Sequence, residues 1–151
     1  FGGVVVTDNK LKELERREKK EKDVIIFAPD RKAFSSATNV SRSRLIAPWV
    51  DMAYMLALEG NYEEAMTLNG FLYCSALGFD TEPMMLALEA GVKGVTLSGT
   101  GPSYVALVDN VSCSKLKESW SQLGISGSLI STKIYNKEAK KLAAGSNNEL
   151  T

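Results

Sequence analysis

The sequence predicts an α+β domain with a mostly antiparallel sheet, and three observations carry that prediction. β-branched and apolar runs occupy the start of the chain, at residues 4–7 and 23–28. Helical periods fill its middle, and two apolar strands flank a Gly-rich connection at residues 98–103. Helices and strands are therefore segregated rather than alternating, as in sheets whose helices gather on one side. A chain of 151 residues is long enough for one domain, 1–151, burying roughly 70% of its unfolded surface.

Taken in order, Val4-Val-Val-Thr7 lies between Gly2-Gly3 and the turn pair Asp8-Asn9 and reads as a strand. Residues 10–22 are dense in charge. A solvated helix and a polar edge hairpin both fit them, and the usual shortness of connections between neighbouring strands favours the hairpin. Functionally the charge run reads as wet surface. Asp23-Val-Ile-Ile-Phe-Ala28 is an apolar strand closed by Pro29-Asp30.

A Ser/Thr-rich linker at 35–43 leads to a helix from about Arg44. There Leu45, Trp49, Met52, Leu56 and Leu58 recur at helical spacing, with Pro48 in the first turn. Trp49 and Tyr54 are expected in the core, and Asp51 and Glu82 in structural or exposed positions. Gly60 ends this helix. Asn61 caps the next, whose stripe runs through Ala65, Leu68, Leu72 and Ala76 to a stop at Gly78. Thr81 caps a third helix, with Pro83 in its first turn and Gly91 at its end.

Residues 94–97 and 104–108 are the two apolar strands around the Gly-rich connection. A fourth helix opens at Ser112 or Ser114, carries Leu116, Trp120 and Leu123 on one side, and ends at Gly124. Residues 128–135 form a last strand, and the tail from Lys137 is expected to fray.

Composition narrows the function classes. Eighteen Lys and Arg balance eighteen Asp and Glu, which disfavours nucleic acid as a partner. No apolar run approaches the roughly 20 residues of a membrane span, and no signal peptide is visible. Cys74 reads as a small core residue and Cys113 as part of a polar helix start. Nothing in their spacing asks for a disulfide, so a reducing cytoplasm is expected. There is no histidine. That removes the usual general base and the commonest metal ligand, leaving carboxylates, Lys, Arg, hydroxyls and backbone amides for any chemistry. The chain opens on Phe1 rather than methionine, and is expected to be a fragment or a processed product.

The motif Ser98-Gly-Thr-Gly-Pro-Ser103 is where a functional argument starts. Its two glycines permit positive φ and a close approach of backbone N–H groups to a ligand, and concave runs of amides bind anions. A tight hairpin turn accounts for the same residues on steric grounds, and composition alone weighs the two readings equally. Neither a G-x-x-x-x-G-K-[ST] loop nor a complete G-x-G-x-x-G fingerprint is present.

Extended outward, Gly94-Val-Thr-Leu-Ser-Gly-Thr-Gly-Pro-Ser-Tyr-Val-Ala-Leu107 resembles the third conserved motif of the GHMP kinases. Phe1-Gly-Gly-Val-Val-Val-Thr-Asp-Asn9 and Ser41-Arg-Ser-Arg-Leu45, with the helices between, are similar to the C-terminal half of the archaeal-type shikimate kinases. The resemblance has landmarks over residues 1–108 and follows element order beyond. It implies a ferredoxin-like, mostly antiparallel sheet with added helices. It also implies transfer of the ATP γ-phosphoryl to the 3-hydroxyl of shikimate with Mg²⁺, in aromatic amino-acid biosynthesis.

By that resemblance Ser98, Gly99, Thr100, Gly101 and Ser103 sit near the nucleotide's phosphates, where backbone donors serve phosphoryl transfer. The family's principal phosphate loop, P-x-x-x-G-L-G-S-S-A, is absent from these residues, as is the Mg²⁺-ligating carboxylate. The chain is therefore expected to lack the N-terminal ATP-binding half, to be inactive alone, and to need that half as partner. Loss of such a partner would expose an apolar face and permit self-association.

Arginine suits the carboxylate of shikimate, so Arg42 and Arg44 are candidate substrate ligands, with neighbouring serines capping their helix. Two residues apart on a helix, they do not share a face, and one at most is expected to reach substrate. Asp8 is a candidate for a substrate hydroxyl, although an Asp-Asn pair more often makes only a turn. Two other readings stand beside this one: another GHMP kinase acting on homoserine or mevalonate, and a non-catalytic ferredoxin-like binding domain.

Overall fold

A computed structural model describes residues 4–7, 13–17, 21–31 and 40–137. The chain divides into two compact units, Phe1–Lys20 with Tyr135–Thr151, and Glu21–Ile134. In the first, β1 (Val4–Thr7) pairs antiparallel with β2 (Glu13–Arg17), Val4 opposite Arg17, with a register shift between Val6 and Thr7. The charged segment thus holds a hairpin strand, the favoured of its two readings. Gly2, Gly3, Asp8 and the tail beyond Lys137 lie outside the described residues.

The second unit contains β3 (Asp23–Pro29), α1 (Val40–Leu45), α2 (Ala47–Leu58), α3 (Tyr62–Leu77) and α4 (Glu82–Glu89). It continues with β4 (Gly94–Leu97), β5 (Tyr104–Val108), α5 (Asn110–Ser121) and β6 (Gly127–Lys133). The strand order is β4-β5-β3-β6, with every neighbouring pair antiparallel. Taking the helices between β3 and β4 as one crossover, this is the β-α-β-β-α-β arrangement of ferredoxin-like folds.

Strand alternation sends Ile25, Phe27, Val95, Leu97, Tyr104 and Ala106 to one core, where Met84, Leu116 and Trp120 meet them. Trp120 is about 1% exposed, and its indole N–H donates to the Pro83 carbonyl at 2.8 Å. The Trp120 ring lies 5.9 Å from that of Phe27, which in turn stacks on Tyr104 at 6.4 Å. Buried indole nitrogen and buried aromatic area are thus both satisfied.

An edge strand needs protection, and α3 provides it for β4. The Thr67 hydroxyl donates to the Lys93 carbonyl at 3.0 Å and accepts the Val95 N–H at 3.2 Å. Gly70 permits this approach, because a Cβ there would lie 2.8 Å from the Thr96 Cα and 2.6 Å from the Met84 Cε. Cys74, one turn further, is fully buried, and burial pushes its thiol up to about 11. Both cysteines are free, as expected.

Several helix starts differ from the sequence reading. The helix placed from Arg44 is two helices that begin at Val40, so Ser41 and Ser43 lie inside α1 rather than capping it. Helix α5 starts earlier than Ser112. Asp109 is its N-cap, accepting from the Val111 and Ser112 N–H groups, while the Ser112 hydroxyl accepts the Asp109 N–H in a capping box. Asn61 and Thr81 occupy N-cap positions without side-chain cap bonds. At α4 the Asp80 carboxylate takes over, accepting the Glu82 N–H at 2.9 Å. On α3 the deepest positions are Ala65, Gly70, Cys74 and Ala76, while Leu68 and Leu72 are half-buried.

The larger correction concerns α2. Trp49 is 53% exposed and Tyr54 38%, so neither is a core residue, and Met52 and Met55 are also exposed. The helix is apolar around nearly its whole circumference, Asp51 being its sole charge. One face rests on α3, with Ala53 buried and Val50, Leu56 and Leu58 half-buried, while Trp49, Met52 and Met55 stay open among the described residues. Asp51 and Glu82 are exposed, as expected.

Candidate functional site

The 98–103 segment joins β4 to β5 directly after the closing pair Leu97 and Tyr104. It is a turn held by its own backbone: the Ser98 N–H donates to the Ser103 carbonyl at 2.7 Å, and the Gly101 N–H to the Ser98 carbonyl at 2.9 Å. Its glycines serve different ends. Gly99 takes φ +56° with open space where a Cβ would be, so only its conformation asks for glycine. Gly101 takes φ +80°, and a Cβ there would meet the Phe79 ring at 2.6 Å, so contact and conformation both require it.

The turn is fastened to the end of α3. Gly78 closes that helix in the left-handed conformation, φ +74°, and delivers Phe79 against Gly101. The Tyr104 hydroxyl donates to the Asp80 carbonyl at 2.7 Å. Burial first, then the Cys74 thiol and the Asp80 carboxylate, push the Tyr104 phenol up to about 12, so it stays a donor at neutral pH. What remains for a ligand is the outer side of the turn. Ser98 and Gly99 are exposed, and the Gly99 and Thr100 N–H groups have no partner among the described residues. A turn and a pair of amides without partners among the described residues are thus two aspects of one geometry.

Arg42 and Arg44 are both exposed on α1. Arg42 donates from Nη2 to the Ser75 carbonyl in α3 at 2.8 Å, two residues short of that helix's end. Arg42 and the 98–103 turn therefore both lean on the C-terminal end of α3 and the residues just past it. Arg44 has no hydrogen-bond or ion-pair partner among the described residues. Asp8 lies outside the described residues, so its part in the site is not tied to any geometry.

Two residues escaped the sequence reading. Phe79, between Gly78 and Asp80, supports the turn, and its signal was a large aromatic just past a glycine helix stop. Arg31 follows Pro29-Asp30 at the end of β3 and places its guanidinium carbon 4.8 Å from the Phe79 ring centroid. Among the described residues no group of three or more His, Cys, Asp or Glu could hold a metal ion. No described helix is long and apolar enough to cross a membrane.

No protein-family model matches the chain. By structure it resembles a homoserine kinase from Cytophaga hutchinsonii, with a TM-score of 0.57 at 17% identity over 90% of this chain and 50% of that one. It also resembles the L. major mevalonate kinase solved with R-mevalonate, with a TM-score of 0.57 at 12% identity over 80% of this chain and 44% of that one. At such identities the likeness concerns fold alone: the chain shares the α+β architecture of about half of each of these kinases.

In sequence it matches the C-terminal half of the archaeal shikimate kinases. It is 64% identical over 142 residues to the shikimate kinase of Methanococcoides burtonii, covering 94% of this chain and 50% of the relative. With that of Methanosarcina acetivorans it shares 63% over 139 residues, covering 92% and 47%. The chain spans about half the length of the curated relatives it matches.

Proposed function

We propose that the chain is the C-terminal, substrate-side half of an ATP-dependent kinase that phosphorylates the 3-hydroxyl of shikimate, working with an N-terminal half. The observation that carries this reading is the 64% identity with a shikimate kinase along 94% of the chain. The structural relatives named for homoserine and mevalonate share only 17% and 12%, so those substrates serve as controls.

Phosphoryl transfer depends on positioning and on charge stabilisation more than on covalent chemistry by the protein. The Gly99 and Thr100 N–H groups, without partners among the described residues, and the Ser98, Thr100 and Ser103 hydroxyls are the donors offered to a phosphate oxygen. Gly101 keeps the turn flat against Phe79. Mg²⁺ supplies charge neutralisation when bound with the nucleotide. By the family resemblance, its ligands and the main phosphate loop are assigned to the N-terminal half. Arg44, with its five donors uncommitted among the described residues, is the better candidate for the shikimate carboxylate, and Arg42 braces α1 on α3. Asp8 remains a candidate for a substrate hydroxyl.

The open apolar face of α2 supports the reading of a second half, since a helix apolar all round is ordinarily covered. The experiment is a substrate panel on the full-length kinase that contains this chain, following ATP-dependent phosphorylation of shikimate, homoserine and mevalonate. Turnover of shikimate alone is expected. Preference for either control would overturn the substrate assignment.

A further inference from the structure

We propose that Arg31, shelved on the ring of Phe79, is the cation that receives an oxyanion at the 98–103 turn. The nature of that oxyanion, a phosphate or a substrate carboxylate, rests on the kinase reading above; the binding site itself does not.

The argument begins with what holds Arg31. Its guanidinium carbon lies 4.8 Å from the Phe79 centroid, and the same ring is packed against Gly101 in the turn. The backbone just before it is pinned, the Asp30 N–H donating to the Ser126 carbonyl at 3.0 Å. Stacking uses the flat face of a guanidinium and leaves its in-plane N–H donors available. Those donors form a fork that matches the two oxygens of a carboxylate or phosphate. Arg31 is exposed, and none of its donors has a hydrogen-bond or ion-pair partner among the described residues.

The neighbouring acids do not claim it. The Asp80 carboxylate is turned to the Glu82 N–H, and Asp30 is exposed without an ion pair to Arg31. The Arg31 charge also reaches the first residue of β5, where it opposes the effects that raise the Tyr104 phenol. A cation shelved on the Phe79 ring, two amides at Gly99 and Thr100 without partners among the described residues, and the exposed Ser98 are thus linked through one aromatic side chain and the glycine it packs against. Phe79 acts as a positioning residue: it sets both the height of the guanidinium and the seat of Gly101.

The test is an NMR titration of the 1–151 chain with sodium tripolyphosphate and, separately, with shikimate, for wild type, R31Q, R31K and F79L. The Arg31 Nε–Hε and the Gly99 and Thr100 amides are expected to shift along one saturating curve with at least one of the two anions. The anion that saturates identifies the source. R31Q is expected to weaken that binding at least tenfold, with its amide spectrum otherwise unchanged. F79L is expected to weaken it less, and R31K not to restore it, because an ammonium lacks the planar fork. Equal affinity of R31Q and wild type, or absence of saturation with both anions, would overturn the proposal. Saturating binding here combined with no shikimate turnover in the full-length protein would sink the kinase reading and leave the site standing.

Discussion

Helices α5 and α2 are the same length, 12 residues, yet they treat their apolar residues in opposite ways. Helix α5 carries a narrow stripe and buries it: Leu116 is fully buried and Trp120 is about 1% exposed, while Lys115, Glu118 and Ser121 face water. Helix α2 carries apolar residues on nearly every side and buries only Ala53 fully. The first helix is satisfied by this chain. The second has an apolar surplus that the described residues do not use, and such a surplus marks a contact surface rather than a core. The unit from Glu21 to Ile134 thus has a finished side around Trp120 and an unfinished one at α2.

Truncating the finished side should have the largest effect. Trp120→Ala removes an indole seated on Phe27 and hydrogen-bonded to Pro83, and should cost about 3–5 kcal/mol of stability by urea denaturation.

Alkali should attack the same core through Cys74 and Tyr104, whose pKa values rise from 9.0 to about 11 and from 10.0 to about 12. Both groups are neutral when protonated, and the unfolded chain loses these protons first. Their contribution is therefore fully present below pH 9 and is lost as pH rises towards 12, each unit of difference corresponding to about 1.4 kcal/mol. Denaturation midpoints measured across that range should fall, and Cys74→Ala should flatten the lower part of the decline.

Gly70→Ala should cost about 1–3 kcal/mol, because its methyl meets the Thr96 backbone where α3 lies along β4. Since α2 rests on α3, hydrogen exchange should accelerate in α2 as well as in α3, and stay slow in α5.

The smallest effect on stability belongs to the unfinished side. The double change Trp49→Gln and Met52→Gln should alter the stability of this chain by less than about 0.5 kcal/mol, both side chains being exposed. It should nevertheless weaken self-association, measured by sedimentation, and weaken capture of an N-terminal half. A large loss of stability would show that α2 is already covered and would dissolve the contrast with α5.

Most of the fold was legible because its signals are local. The runs at 94–97 and 104–108 became β4 and β5 with no change of bounds, and Gly78 and Gly91 stop helices at positive φ as expected. The charge-rich segment at 10–22 yielded a hairpin strand because short connections between strands are common. What failed was burial on α2. Helical spacing shows that Trp49 and Met52 lie near one another, but it cannot show whether the element opposite belongs to the same chain. The cap of α5 failed for a different reason: Asp109 and Ser112 act as a pair, and a search for one capping serine overlooks the aspartate three residues before it.

The candidate site was legible in part. Ser98-Gly-Thr-Gly-Pro-Ser103 read equally as a tight turn and as an anion-binding run of amides; its backbone hydrogen bonds show the turn, and a ligand comes from the family resemblance alone. The contact of Gly101 with Phe79 joins residues 22 positions apart, 101 against 79, and the stacking of Arg31 on that ring joins residues 48 apart, 79 against 31. No local pattern carries such contacts. Arg42 was legible as a cation at a helix, but its hydrogen bond to the Ser75 carbonyl was not, since that depends on how α1 meets α3.

The most direct test of the account is complementation. The chain is mixed with a separately expressed N-terminal half from a matched shikimate kinase, and shikimate-dependent release of ADP from Mg-ATP is followed. Neither half alone is expected to turn over, and the mixture is expected to do so, with Trp49 fluorescence shifting to the blue as α2 is covered. Turnover by this chain alone would contradict the account, as would an inactive mixture in which both halves are folded and bound.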